Sequence, residues 1–585
     1  APMTVDRLDM DLDADRIFPR EADLSAHLTN TRARGDQRAA QTLHYFFPYE
    51  EREQLRLRGA DDLSDDGFRE DYPVRFVREM LGATSRAGRH EQLADARPIV
   101  DRAQTDQVAA VARALQAYQV NWEEGTDGGA ANLEVATSTN RPENTGAPGE
   151  SFDLTVTVTN RGTAPVYRLR ATTKSDNPLF ENRELVFGRV NPGETRTWTT
   201  PLGICEYEGY RPGTTSLPAS GTRKLCLVPR ASLSRTDGIR LEWSESHGRT
   251  PTATSPVRVS IRGLERPVFA YGWQFAEQAR GSNGDGRVQP GESVTMYLTV
   301  KNIGRGRSYV TRAGLKNLSG GAVLLHDARF NIDNMQPGEE RRVAFTFDVA
   351  QSFRENEAKL ELVIDDEDLR EVESQKIRIP IAREAGRVTP ASGTFVAPEA
   401  VELRESPAAN GRVVLRAPVG ASFPMTAASG DFVRLDVGGG RPAWVFRPAS
   451  NAARPAVPAG PRALTYVLHN SPPMIENDGS LALSVNGNTA TLRGTVTDEN
   501  RVLDLYIFVG SNKVHYQSNR DGADTHRLTF EAQLPLRPGA NVVAVVARQD
   551  DDVVARRVYV IRRDGANGEL LATPRHDEDD EGSED

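Results

Sequence analysis

The sequence predicts a mainly β, multidomain protein, and three observations carry that prediction. A chain of 585 residues exceeds what one hydrophobic core can organise, so roughly three to five domains are expected. Apolar and polar residues alternate in short runs such as "SFDLTVTVTN" and "SVTMYLTVKN", the period of a half-buried strand. Pro-Gly-Glu stands at Pro148, Pro192, Pro290 and Pro337, each time just before such a run. Proline presets φ and glycine accepts positive φ, so the tripeptide turns the chain into a strand.

Residues 1–125 differ from the rest and predict a helical segment. "DDLSDDGFREDYPVRFVREMLGATS" and "RPIVDRAQTDQVAAVARALQAYQVNW" read as helices; Val108, Val111, Leu115 and Tyr118 recur at helical spacing, with Pro98 near the start. Too little strand sequence precedes these helices to build a sheet, so their apolar stripe requires another surface.

Residues 130–263 and 264–386 are two copies of one β-sandwich. "PGESFDLTVTVTNRGTAPVYRLRA" from Pro148 recurs as "PGESVTMYLTVKNIGRGRSYVTRA" from Pro290. Phe152, Leu154, Val156 and Val158 correspond to Val294, Met296, Leu298 and Val300, Asn160 to Asn302, and Tyr167 to Tyr309. The repeat resembles Ig-like, CARDB-like sandwiches. The first copy alone carries an insertion, "CEYEGYRPGTTSLPASGTRKLC", bounded by Cys205 and Cys226, the only cysteines. Three readings of the pair stand: a disulfide stapling a long loop at about 3 kcal/mol, two structural thiols, or a metal or redox pair. The first implies an oxidising compartment.

Beyond the repeat, residues 390–450 form a small module, 451–462 ("ASNAARPAVPAGPRA" and its surroundings) a linker, and 463–563 an Ig-like or fibronectin-like sandwich. Residues 564–585, ending "RHDEDDEGSED", are expected to be an acidic disordered tail.

Net charge is -10 and pI about 5.6, which disfavours nucleic acid and anionic membrane surfaces as partners. No apolar run is long enough to span a bilayer, and no signal peptide begins at Ala1. The N-terminus is therefore expected to follow a removed segment, unless the chain is cytoplasmic. No HExxH, GxSxG, Walker or CxxC motif is present. The nine histidines are scattered. No catalytic residue is assigned.

Two places carry candidate site residues. "GSNGDGRVQPGE" (281–292) follows the EF-hand loop in Asn283, Asp285, Gly286 and Glu292, yet Gly281 stands where the first carboxylate belongs. The stretch is either a weak calcium site of Asn283, Asp285 and Glu292 or a solvated Asn-Gly/Asp-Gly turn; no other cofactor is expected. Its "NGDG" is peculiar to the second copy, the first having "PENTGA" there. In the small module, "VELRESPAANGRVVLRAPVGASFPMTAASGDFVRLDVGGGRPAWVFRPAS" resembles a bacterial SH3-like barrel. That resemblance implies cell-wall or proline-containing peptide ligands in an aromatic groove, with Phe432 and Trp444 as groove or core residues.

"DADRIFPREADLSAHLTN", "DLSDDGFREDYPVRFVREML" and the helix ending at Trp122 resemble the segment after the catalytic core of tail-specific, S41-type serine peptidases. The resemblance, over about the first 385 residues, implies a secreted or periplasmic endopeptidase with a Ser-Lys dyad. The chain lacks the family's serine and lysine motifs, and all seven lysines (Lys174, Lys224, Lys301, Lys316, Lys359, Lys376, Lys513) lie in the predicted β modules, so no dyad transfers. The expected role is a non-catalytic region that binds substrate or envelope components beside a peptidase core; a stand-alone adhesion scaffold is the alternative.

Overall fold

A computed structural model describes residues 118–126, 128–207, 224–252, 254–277, 282–447, 464–551 and 553–574, with Ala109, Ala112, Leu115 and Gln116 before them. Strand dominates the described residues from Leu133 onward. Most of the helices expected in 1–125, the linker 451–462 and the tail beyond 574 lie outside the described residues.

The chain divides into two compact units. In the first (1–144, 152–207 and 238–257), Asp153–Asn160 lies between Leu133–Thr139 and Thr195–Pro201. One face of Asp153–Asn160 buries Leu154, Val156 and Val158 completely. The other presents Thr155, Thr157 and Thr159, whose hydroxyls pair with those of Thr199, Thr197 and Thr195 at 2.9, 3.0 and 2.9 Å. The alternation thus places β-branched residues on both faces, apolar inward and hydroxylic outward. Val166–Lys174 pairs with Glu184–Val190 and with the end of Arg235–Ser244. Leu115 and Val120 pack on Val186, with Trp122 and Trp198 half-buried against them. This gives the end of the predicted helix its apolar partner.

The second unit (145–151, 208–237 and 258–585) holds the other sandwiches and the small module. Its first sandwich layers Phe269–Glu277, Ser293–Asn302, Glu340–Val349 and Val323–Asp327 over Arg329–Asn331, Thr311–Asn317, Glu357–Asp366 and Glu371–Pro380. Val294, Met296, Leu298 and Val300 are at most 1% exposed, matching their counterparts in the other copy. The small module is one curled sheet of short strands around Phe395, Leu403, Leu415, Phe423, Val433 and Leu435. The last sandwich sets Met474–Asn477, Thr489–Thr497 and Arg527–Pro535 against a five-stranded sheet centred on Gly539–Arg548.

The two copies share an internal device. Asn160 and Asn302 are fully buried. Asn160 Nδ2 donates to the carbonyls of Ala164 and Val190 at 2.8 and 3.0 Å, and its Oδ1 accepts from Gly162 N. Asn302 repeats the pattern with Gly306, Met335 and Gly304. A buried amide with every bond made ties the end of one strand to two loops. The Pro-Gly-Glu turns repeat as well: Glu194, Glu292 and Glu339 each accept the backbone N–H of the residue before the proline, at 2.9, 2.8 and 2.9 Å. Gly149, Gly193, Gly291 and Gly338 all have φ between 76° and 91°, so turn chemistry accounts for the tripeptide.

The tail boundary requires correction. Residues 564–574 are anchored at two points rather than disordered: Asp564 is 1% exposed and accepts from Arg562 Nε, Arg258 Nη2 and Ser484 Oγ. Thr573 Oγ1 accepts from Ala540 N. Three donors compensate the buried carboxylate, and that fixes this stretch in place.

Candidate functional site

The strand Phe269–Glu277 sits at the edge of its sheet, where exposed backbone would invite other strands. Eight of its nine positions are nevertheless buried, because the small module and the segment after it pack there. Tyr271 exchanges backbone hydrogen bonds with Asn470, at 2.7 and 2.9 Å. Phe275 N donates to the Glu405 carboxylate, and Gln274 Nε2 donates to Pro442 O. A side chain at Gly272 would meet the Val467 carbonyl at 2.1 Å, so only glycine permits the approach.

The loop that follows continues the contact. Asn283 Oδ1 accepts from Asp285 N, and Asp285 Oδ1 from Arg287 N, at 2.9 and 2.8 Å. These are Asx turns, the local chemistry of Asn and Asp in tight loops. Asp285, 1% exposed, uses Oδ2 to accept from Gln289 Nε2 and Gly386 N. Glu292 accepts from Gln289 N as the Pro-Gly-Glu turn requires. The oxygens of Asn283, Asp285 and Glu292, the residues of the calcium reading, accept from the loop's own donors. Among the described residues no group of three or more acidic, His or Cys side chains is placed to hold a metal ion.

Sequence reasoning missed the acid beneath this loop. Burial, a hydrogen bond with Asp285 and the nearby charges of Glu292 and Asp285 push Glu277 up to about 8, while the Arg287 N–H acts the other way. Burial also raises Glu405, against the pull of Arg412, the Phe275 N–H and Arg441.

Phe432 and Trp444 do not line an open groove, and neither belongs to the core cluster of their module. Val433, Leu435, Ala443 and Val445 point inward; strand alternation therefore turns Phe432 and Trp444 to the outer face. Trp444 is 1% exposed there. The calcium-like loop covers it: Gly286 sits against the indole, where an added Cβ would lie 2.7 Å from Nε1. Arg434, which lies 6.0 Å over the Trp444 ring, donates from Nη1 to Gly284 O at 2.7 Å. Phe432 is 9% exposed and stands edge-on to Phe446, which is 56% exposed. The two candidate sites of the sequence are one contact.

Cys205, on Ile204–Tyr207, and Cys226, on Lys224–Leu227, are both disulfide-bonded. Residues 208–223 between them lie outside the described residues.

Residues 281–373 match the CARDB family, so the second copy of the repeat carries a CARDB domain, an Ig-like β-sandwich. No curated protein matches the chain. Among solved structures, a red sea bream transglutaminase is similar at 10% identity and a TM-score of 0.16, over 47% of this chain and 34% of that one. The chain thus spans about a third of that protein. No described helix is long and apolar enough to cross a membrane.

Proposed function

We propose that this chain is a non-catalytic scaffold of β modules, the substrate- or envelope-binding region of an S41-like C-terminal processing peptidase of the periplasm or cell exterior. The observation that carries the scaffold reading is the docking of the small module on Phe269–Glu277 and its loop. Buried hydrogen bonds and a covered tryptophan hold the two modules in one register, as a spacer or platform requires, and leave Trp444 unavailable as a peptide groove. The SH3-like resemblance then describes a module whose aromatic face receives a loop of its own chain. The peptidase origin rests on the resemblance of the N-terminal segments, and the disulfide favours an oxidising compartment.

The test is the mass and sequence of the native species captured from its source cells through the terminal sandwich. A species much heavier than 64.2 kDa, with serine-peptidase sequence ahead of Ala1, supports the accessory role. A species of that mass with no peptidase captured beside it overturns this role and leaves an adhesion scaffold.

A further inference from the structure

Arginines gather at one corner of the docked modules, where the carboxylate acting on Arg441, that of Glu405, interacts without an ion-pair contact. Arg441, in the turn before Pro442–Phe446, is 8% exposed. Its Nε donates to Gln274 Oε1, and its guanidinium lies 5.2 Å from the Tyr297 ring and 4.8 Å from the Tyr466 ring. Arg342, exposed on Glu340–Val349, lies 4.7 Å over the same Tyr466 ring and donates from Nη1 to its hydroxyl at 2.6 Å. Two guanidiniums thus share one phenol.

Neither arginine has a carboxylate within ion-pair distance among the described residues. Two acids stand nearby. Asp436 turns Oδ1 to Gly438 N, and Glu405 accepts from Phe275 N. Burial pushes Arg441 down from the ordinary arginine value, against the pull of the Tyr466 and Tyr297 hydroxyls, and the like charge of Arg342 adds to the fall. A buried cation facing a second cation is costly unless an anion compensates both. The tyrosines supply hydrogen bonds through the Tyr466 hydroxyl and quadrupole attraction through their rings, neither of which is a full opposite charge.

We propose that this corner is an oxyanion-binding site, taking a carboxylate or phosphate group between Arg342 and Arg441. The planar forks of two guanidiniums suit the paired oxygens of such a group better than a spherical halide. The Tyr466 hydroxyl, already an acceptor from Arg342, keeps its own proton to donate to the ligand. Exposed Arg342 and half-buried Tyr466 leave the site a path from solvent. The inference stands apart from the scaffold reading, and either can fail alone.

The experiment is isothermal titration of the full chain with inorganic phosphate and with acetate, each against chloride at matched ionic strength. Saturable binding of one oxyanion is expected, weakened at least tenfold by Arg342→Gln and several-fold by Tyr466→Phe, with far-UV circular dichroism unchanged in both variants. Phosphate alone binding assigns the site to phosphate groups; acetate binding assigns it to carboxylates. Heats that follow ionic strength only, or binding unaltered in both folded variants, would overturn the proposal.

Discussion

The two copies of the repeat agree in their interiors and differ in the loop before the conserved turn. In the first copy "PENTGA" turns through Glu143 and Asn144, both with φ of 52°. In the second, "NGDG" turns through Gly284 and Gly286 with φ of 70° and 78°. The backbone demand is similar, but in the second copy Arg434 and Trp444 come so close that a Cβ would lie 2.1 and 2.7 Å from their nitrogens. The two sandwiches therefore share their internal amide and turns and differ in a loop, where the second copy makes its contact with the small module and where change costs the core least.

The largest effects should fall on what the copies share. Asn160→Ala strands three backbone groups and Asn302→Ala four, so each should cost about 3 kcal/mol. The measure is urea denaturation; a loss in one copy only would break the equivalence.

Next come the features that separate the copies. Breaking the Cys205 bridge by Cys205→Ser with Cys226→Ser should cost about 3 kcal/mol, and dithiothreitol should lower the wild-type transition but not that of the double variant. Gly286→Ala should cost about 2 kcal/mol through positive φ and the indole contact. Glu143→Gly, relieving the same strain in the first copy, should stabilise by less than about 1 kcal/mol. Equal responses at 286 and 143 would mean that the docking contact adds nothing.

A separate effect is one of pH. Glu277 stands at about 8 in the fold and near 4.5 when unfolded, so the folded chain holds its proton more tightly. Its contribution is complete below the unfolded value and is lost as pH rises through about 8. Glu277→Gln should therefore flatten the fall in melting midpoint between pH 5 and pH 9. A residual slope is expected from Glu373, which burial and the charge of Glu371 push up to about 7.

Much of the fold was legible because it rests on local periodicity. "DLTVTVTN" declares its buried and hydroxylic faces, and Pro-Gly-Glu announces its turn whatever surrounds it. "PAWVF" declares its faces in the same way: with Ala443 and Val445 inward, Trp444 has to face outward. The calcium and turn readings of "NGDG" looked alike because Asn and Asp serve tight turns and metal ions with the same oxygens, and only the partners of those oxygens distinguish the uses. Asp564 misled in another way. It opens a charged stretch, yet its donors come from Arg562, Arg258 and Ser484, two of them distant in sequence.

By itself the sequence determined the β class, the duplication, the turns and the inward residues, since each follows from the geometry of a few consecutive residues. Only the tertiary structure decided that Gly284 and Gly286 lie on Arg434 and Trp444, that Glu277 is half-buried beside Asp285, and that Arg342 and Arg441 meet over Tyr466. Those juxtapositions join residues far apart in the chain, and burial and charge there are properties of the packed interface rather than of any segment.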